Sequence, residues 1–306
     1  METYNQKIVP YLWFDNQAEE AVDFYINGLE ESRKGNVVAY TEIGQEQHGQ
    51  EPGSVMTIEF EVLGFKMVAL NGGPFFEFNP SISFFVICRD QEEIRAYWNH
   101  FSQGAKILMP LESYDWSESY GWLQDKYGVS WHFMVEEPVV TVDPIHPMLL
   151  FTGQRHGQSE EAMKFYTSIF DNAEIEGILY YGKENPYAKG KVQHAQFLLE
   201  GQGFMTMDSG EEYDFAFNES ISFLINCVNQ EEIDYYWNKL TQKGEEQPCG
   251  WLKDRFGISW QVTPKNLDQL LGDGQSTESK KAIETFFKMK KIEIQKLQEV
   301  KSGRSQ

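Results

Sequence analysis

The chain contains a long internal repeat, and this repeat limits the possible folds more than any other feature. Residues 250–260 read GWLKDRFGISW and repeat residues 121–131, which read GWLQDKYGVSW. Two shorter segments, SISF at 81–84 and QEEI at 91–94, recur unchanged at 220–223 and 230–233. Self-similarity at a fixed spacing indicates that one structural unit was duplicated. The sequence therefore predicts two tandem domains, over residues 1–138 and 144–270, with a linker over residues 136–144.

Composition narrows the classes of partner. The 306 residues carry a net charge of −21, and 41% of them are apolar, which is enough for a core in each domain. Because an acidic surface repels phosphates and anionic lipid, we predict no nucleic-acid partner and no membrane partner. The sequence has no signal-peptide apolar core and no run of about 18 apolar residues, so we predict a cytoplasmic location. Its three cysteines lack zinc-site spacing, and no disulfide framework is predicted.

Each copy has the pattern of two successive βαβββ modules, which indicates the α+β class. In the first copy, a short apolar strand over residues 8–14 precedes a helix with apolar residues at helical spacing. Asp90 and Asn229 each stand three residues before a glutamate, the pattern of a helix capping box. Residues 277–302 predict a C-terminal amphipathic helix that docks on a domain or on a partner subunit.

The paired modules and the closing motif at 250–261, GWLKDRFGISWQ, resemble the vicinal oxygen chelate superfamily. That superfamily includes glyoxalases, extradiol dioxygenases and antibiotic-resistance proteins. The motif is similar to the PhnB-like branch, often described as demethylubiquinone 3-methyltransferase-like, as are residues 160–166 and 287–294. The resemblance implies two tandem glyoxalase-like domains, in each of which two βαβββ modules form a cupped mixed sheet around a pocket.

Methyltransferase chemistry is not predicted by the residues themselves. A nucleotide-type cofactor site needs a glycine-rich turn between a strand and a helix, and no such signature occurs in the sequence.

The resemblance implies that metal ligands, where present, come from the first and last strands of the modules. In the second copy these positions hold His146 and Gln261, and His194 begins a strand between them. We therefore expect at most a weak divalent metal site at His146, His194 and Gln261, because a neutral amide replaces the expected glutamate. The first copy has His132 in the position of Gln261 and Val9 in that of His146, so the second copy is the better candidate.

Other side chains are candidates for a ligand pocket without a metal. His132 could bind or protonate a ligand, and Gln196 alternates with apolar residues along its strand. Trp13, Tyr180 and Tyr181 lie outside the matched segments, so they are candidate pocket walls.

Three functions remain open at this stage. The favoured one is a small-molecule-binding protein, monomeric or homodimeric, with its pocket in the second domain and no cofactor. The first alternative is a divalent-metal-dependent lyase, isomerase or dioxygenase. The second is a degenerate fold with an interaction role. The sequence leaves open whether the protein is an enzyme.

Overall fold

The computed structural model describes residues 6–136 and 143–302, and most of the predicted linker lies outside this range. The first copy forms, in chain order, β1 (Ile8–Phe14), α1 (Ala18–Gly28), β2 (Arg33–Ala39), α2 (Gln45–His48), β3 (Val55–Val62), β4 (Phe65–Asn71), β5 (Ile82–Cys88), α3 (Gln91–Phe101), β6 (Lys106–Tyr114), β7 (Ser117–Gln124) and β8 (Ser130–Val135).

The second copy repeats this order. Its elements are β9 (Ile145–Phe151), a 3₁₀ turn (Gly153–Arg155), α4 (Ser159–Thr167), β10 (Glu174–Tyr180), β11 (Val192–Leu199), β12 (Gln202–Asp208), β13 (Ile221–Cys227), α5 (Gln230–Leu240), β14 (Glu245–Glu246), β15 (Trp251–Lys253) and β16 (Ser259–Pro264).

The predicted capping boxes are confirmed at α3 and α5. The Asp90 side chain accepts hydrogen bonds from the backbone N–H groups of Glu92 and Glu93, and Asn229 accepts one from Glu232. These side chains satisfy N–H groups that have no partner inside the helix.

The strands form two eight-stranded mixed sheets, which confirms the α+β class. Sheet A has the order β14-β15-β16-β13-β1-β4-β3-β2, and sheet B has the order β10-β11-β12-β9-β5-β8-β7-β6. Within each module the last strand runs parallel to the first, as in the pairs β1–β4 and β13–β16.

Each sheet combines one module from each copy, which corrects the expectation that the two modules of one copy share a sheet. Strand β1 pairs antiparallel with β13, so that Ile8 lies opposite Ile225. Strand β5 pairs antiparallel with β9, so that Phe85 lies opposite His146. The free edge of each of these first strands is thus satisfied by the first strand of a non-equivalent module from the other copy.

The two sheets share one apolar core. We call the side of each sheet that faces the helices α1 and α3–α5 its inner face and the opposite side its outer face. The core cluster includes Leu12 and Phe223 of sheet A and Phe84 and Trp131 of sheet B, and all four side chains are fully buried. Alternate residues of the same strands point to the outer faces, where the candidate sites lie.

The repeated motif has a structural role in this core. The buried Asp125 carboxylate accepts hydrogen bonds from the Tyr25 hydroxyl, the Trp131 indole N–H and two backbone N–H groups. Asp254 makes the same four bonds in the second copy, with Tyr166 as its hydroxyl donor. The motif therefore ties a β-turn to the helix of the other module in its own copy, and its aspartate has a structural role.

The C-terminal segment forms separate helices where one amphipathic helix was predicted. The helices are α6 (Leu267–Leu271), α7 (Thr277–Phe287) and α8 (Ile294–Lys301). They pack around their own small cluster, whose buried members are Leu270, Met289, Ile292 and Leu297. The chain leaves the helical conformation after Phe287. There the backbone carbonyls of Met289 and Lys290 accept hydrogen bonds from the N–H groups of Cys249 and Gly250, just before β15.

Candidate functional site

Three histidines converge on the outer face of sheet B. His132 on β8 and His146 on β9 lie on either side of Phe85 on β5, and both are 4% exposed. The third, His194, comes from β11, and its ring centroid lies 6.4 Å from that of Phe85. Methionines such as Met148 and Met205 fill the surrounding surface. The sequence did not group His132 with the other two, because it lies in the other copy.

The His132 side chain is held in place on all sides. Its ring stacks on Phe85 with centroids 4.2 Å apart and on Trp122 with centroids 4.9 Å apart. Its Nε2 is 2.8 Å from the Ser83 hydroxyl, and its Nδ1 is 2.6 Å from the Tyr120 hydroxyl. Burial lowers the pKa of His132 well below its usual value, and the neighbouring His194 lowers it further. His132 is therefore a neutral, fully bonded part of the packing.

His146 is equally buried but is hydrogen-bonded at one ring nitrogen only, because its Nδ1 has no hydrogen-bond partner. Its Nε2 donates to the backbone carbonyl of Asp143 at 2.9 Å, and burial lowers its pKa. A Cβ on Gly203 would lie 2.9 Å from this ring, so only glycine lets the imidazole lie over β12. Burial also lowers the pKa of His194, with a smaller effect from His146.

The predicted metal set is not brought together. His146 and His194 lie on sheet B, whereas Gln261 lies on β16 of sheet A and donates from its Nε2 to the Ser222 hydroxyl at 3.0 Å. Within residues 6–136 and 143–302, no three His, Cys, Asp or Glu side chains are close enough together to hold a metal ion. Both nitrogens of His132 are already bonded. His146 and His194 therefore remain as possible donors in the histidine cluster, and two imidazoles alone do not complete a metal centre.

The outer face of sheet A carries the larger cavity. Its volume is about 960 Å³, and its floor includes Val9, Tyr11, Val68 and Leu224, from strands of both copies. Helix α6 forms one wall through Leu267 and Asp268. We call this space cavity A; its volume lies within the range of small-molecule sites.

Charged side chains surround the mouth of cavity A, and several of them neutralise one another. Lys7 pairs with Glu232 at 2.7 Å, and Arg33 pairs with Glu61 at 2.6 Å. On the floor, burial raises the pKa of Tyr11, and the carboxylates of Asp268 and Glu59 raise it further. The Tyr11 hydroxyl is therefore neutral. Cavity A has an apolar strip on its floor, but polar and charged side chains make up most of its lining.

Tyr11 and the floor around it were not among the residues predicted from the sequence. The signal was present in the alternation of β1, where Val9 and Tyr11 point away from the core residues Ile8 and Leu12. It could not be interpreted without knowing which strand from the other copy lies beside β1.

A smaller cavity lies at the edge of sheet B. We call it cavity B; its volume is about 520 Å³, and Leu108, Trp122 and Phe215 are among its lining residues. It meets the histidine cluster at Trp122, which stacks on His132.

The remaining predicted pocket residues lie in different places. Gln196 is on the outer face of sheet B, where it pairs in register with Met205. The Trp13 indole N–H donates to the carbonyl of Gly73 at 2.8 Å, on the outer face of sheet A but outside the cavity lining. Tyr180 lies close to Glu160 of α4, so it faces the helix layer. Tyr181 places its hydroxyl beside the backbone at 210. These residues therefore do not form one site.

Among the helices of residues 6–136 and 143–302, none has both the length and the apolar character needed to cross a lipid bilayer.

Comparisons with known proteins agree with the fold. The PhnB protein of Bacillus cereus, described as a putative 3-demethylubiquinone-9 3-methyltransferase, is 34% identical over 43% of this chain and 100% of its own, with a TM-score of 0.39. Glyoxalase I of Zea mays is 11% identical over 87% of this chain and 95% of its own, with a TM-score of 0.53. A putative dioxygenase of Bacillus subtilis is 11% identical over 83% of each chain, with a TM-score of 0.52.

None of the curated proteins compared with the chain matches it. The model of one protein family, described as 3-demethylubiquinone-9 3-methyltransferase, matches residues 6–134 and again residues 143–263. The glyoxalase-type fold and the tandem duplication are thereby confirmed. The chain belongs to this 3-demethylubiquinone-9 3-methyltransferase (PhnB-like) family, with one family unit in each copy.

Proposed function

We propose that this protein binds a small molecule in cavity A without a resident metal ion. The observation that carries the proposal is the cavity of about 960 Å³ on the outer face of sheet A, with the apolar side chains Val9, Val68 and Leu224 on its floor. Ligand sites of this kind combine a mostly apolar surface with a small number of polar groups that orient the ligand. Cavity A is richer in polar groups than such sites usually are, because charged side chains such as Lys66, Glu59 and Asp268 surround its apolar floor.

The site draws on both copies, so the proposal modifies the expectation of a pocket in the second domain alone. Val9 and Val68 come from the first copy, and Leu224 comes from the second. Since β1 and β13 are hydrogen-bonded neighbours, the two copies contribute adjacent parts of one floor. The duplication thus supplies within one chain a site that needs two modules.

The family description names a methyltransferase, and we propose no methyl transfer for this chain. The proposal rests on the sequence, which lacks the glycine-rich strand–turn–helix of a nucleotide-type cofactor site. A metal-dependent lyase or dioxygenase is the less favoured alternative. It lacks a fitting ligand set among the described residues, because Gln261 and the histidines lie on different sheets.

A neutral apolar dye tests the proposal. N-phenyl-1-naphthylamine fluoresces when it leaves water, and being uncharged it is not repelled by the acidic protein. We expect the wild-type protein to bind it with one saturable site. Val68→Trp should abolish this binding, because the indole would occupy the floor of cavity A. Leu224→Trp is a second variant of the same kind.

The matched control fills the other cavity. Leu108→Trp places the same bulky ring in cavity B and should leave dye binding unchanged. Thermal unfolding of all three variants checks that each is folded. Dye binding that survives both Val68→Trp and Leu224→Trp in folded protein would overturn the proposal, and loss on Leu108→Trp alone would move the site to cavity B.

A further inference from the structure

Cavity B lies between the two copies and has aromatic walls that are held in place. Trp122 on β7 comes from the first copy, and Phe215 comes from the segment between β12 and β13 of the second copy. The Trp122 ring stacks on His132, and its indole N–H donates to the Ser130 hydroxyl at 2.8 Å. The wall that the first copy supplies is therefore fixed in orientation.

The wall that the second copy supplies is fixed as well. The Thr152 hydroxyl donates to the backbone carbonyl of Phe215, and the Asn79 side-chain amide donates to the carbonyl of Ala216 at 3.1 Å. The Phe215 ring stacks on Tyr213, with ring centroids 4.9 Å apart. Because both walls are already ordered, a ligand that enters between them loses little binding free energy to ordering of the protein.

The equivalent space on sheet A is filled by an indole. Trp251 is the counterpart of Trp122 in the repeated motif, and the Trp13 ring packs edge-on against it with centroids 6.1 Å apart. Trp13 also packs against Phe76, at 5.0 Å between centroids. In the second copy, the position of Trp13 on the first strand holds Leu150. The smaller side chain leaves space beside Trp122 that the indole occupies beside Trp251.

An ion pair on sheet A is also replaced at cavity B. Lys253 and Glu219 pair at 2.8 Å. Their counterparts in the first copy are Gln124 and Pro80, and both of these line cavity B. Together with the exchange of tryptophan for leucine, these differences between the copies account for an open space of about 520 Å³ at this edge of sheet B.

Lys106 gives cavity B an available positive charge. It lies opposite Gln124 in the register of β6 and β7, where the second copy has Glu245 opposite Lys253. Within residues 6–136 and 143–302, the Lys106 ammonium makes no ion pair or hydrogen bond. A ligand with a negative group can therefore pair with Lys106 without displacing a protein partner.

The other charged side chain of the lining is already engaged. The Glu211 carboxylate accepts a hydrogen bond from the Tyr213 hydroxyl at 2.7 Å. Its charge therefore lies at the wall of the second copy, whereas Lys106 lies on β6 of the first copy. The two ends of cavity B thus differ in charge.

We propose that cavity B is a second ligand site, which binds an aromatic anion between Trp122 and Phe215 with its negative group beside Lys106. Aromatic rings in contact with the two walls supply the apolar part of the recognition. An aromatic carboxylate is the class of compound that fits these groups. The site is separate from cavity A, so it stands whether or not cavity A binds a ligand.

A matched pair of dyes tests the site. The dye 8-anilino-1-naphthalenesulfonate has the ring system of N-phenyl-1-naphthylamine and adds one sulfonate charge. Since the protein has a net charge of −21, its surface as a whole repels this anion, and saturable binding reports a local site. We expect one such site in the wild type. Leu108→Trp should abolish it, because the indole would occupy cavity B. Val68→Trp, which fills cavity A, is the matched control and should leave it unchanged.

Lys106 tests the recognition of charge. Lys106→Gln should weaken binding of the anionic dye about threefold, the size expected for one exposed ion pair. Lys280→Gln, on the exposed side of α7, removes the same charge from the protein and should have no effect. Thermal unfolding checks that each variant is folded. Binding that survives Leu108→Trp, loss on Val68→Trp alone, or equal affinity in Lys106→Gln and Lys280→Gln would each overturn the proposal.

Discussion

Replacing Asp254 by asparagine tests the role assigned to the repeated motif. One carboxylate oxygen accepts hydrogen bonds from the Tyr166 hydroxyl at 2.6 Å and from the Trp260 indole N–H at 2.8 Å. The other accepts from the backbone N–H groups of Phe256 and Ile258, at 2.8 and 3.1 Å. The aspartate is 3% exposed, so water cannot replace any of these partners.

The expected magnitude follows from these four bonds. In Asp254→Asn the amide oxygen can keep both backbone bonds, and the Tyr166 hydroxyl can rotate to accept from the new NH₂ group. The Trp260 N–H has no such choice, since it is only a donor and would face another donor. Leaving a buried donor unpaired and losing the bonds to a charged acceptor costs about 2–3 kcal/mol of unfolding free energy. Burial raises the pKa of Asp254, and relief of that desolvation keeps the net cost from being larger.

Urea unfolding followed by circular dichroism measures this cost. Asp125→Asn should lower the unfolding free energy by a similar amount, because Asp125 makes the same four bonds with Tyr25 and Trp131. The exposed Asp115→Asn is the control, with an expected change below about 0.5 kcal/mol. The account of the motif fails if both core variants change stability no more than Asp115→Asn does.

Two further predictions concern the histidine cluster. Gly203→Ala should destabilise the protein by about 1–3 kcal/mol, because its Cβ would meet the His146 ring at 2.9 Å; Gly177→Ala, with nothing within 4 Å, is the control in the same urea titration. Burial lowers the pKa of His132 in the folded protein. The neutral ring therefore stabilises the fold fully above the histidine pKa of the unfolded chain, about 6.5. As the pH falls below that pKa, this stabilisation is lost at about 1.4 kcal/mol per pH unit. The unfolding free energy of His132→Phe should therefore fall less steeply with acidification than that of the wild type, and parallel pH profiles would contradict the shifted pKa.

The sequence predicted the local elements well because their causes are local. The strand over residues 8–14 and the two capped helices after Asp90 and Asn229 follow from apolar spacing and capping side chains a few residues apart. The single C-terminal helix was predicted on the same basis and is interrupted after Phe287. There the backbone makes bonds to residues 249 and 250, about 40 positions away, which no local pattern contains.

The candidate site was harder to predict, because residue type says little about which groups share a surface. His146 and Gln261 stand at related positions in the sequence but lie on different sheets, whereas His132 and His146 come from different copies and flank the same phenylalanine. The pairing of β5 with β9 placed His146 beside Phe85, whereas Gln261 follows β13 into the other sheet.

The sequence by itself therefore determined the duplicated module, its α+β class and the family to which the chain is similar. These properties follow from repeated motifs and from periodicity within short segments. Only the tertiary structure decided that each sheet joins modules of both copies, that His132 is packed and bonded at both ring nitrogens, and that a cavity lies over Tyr11 beside α6. The physical reason is that a strand edge is satisfied equally well by either of two similar modules, and the connections and packing of the whole chain select between them.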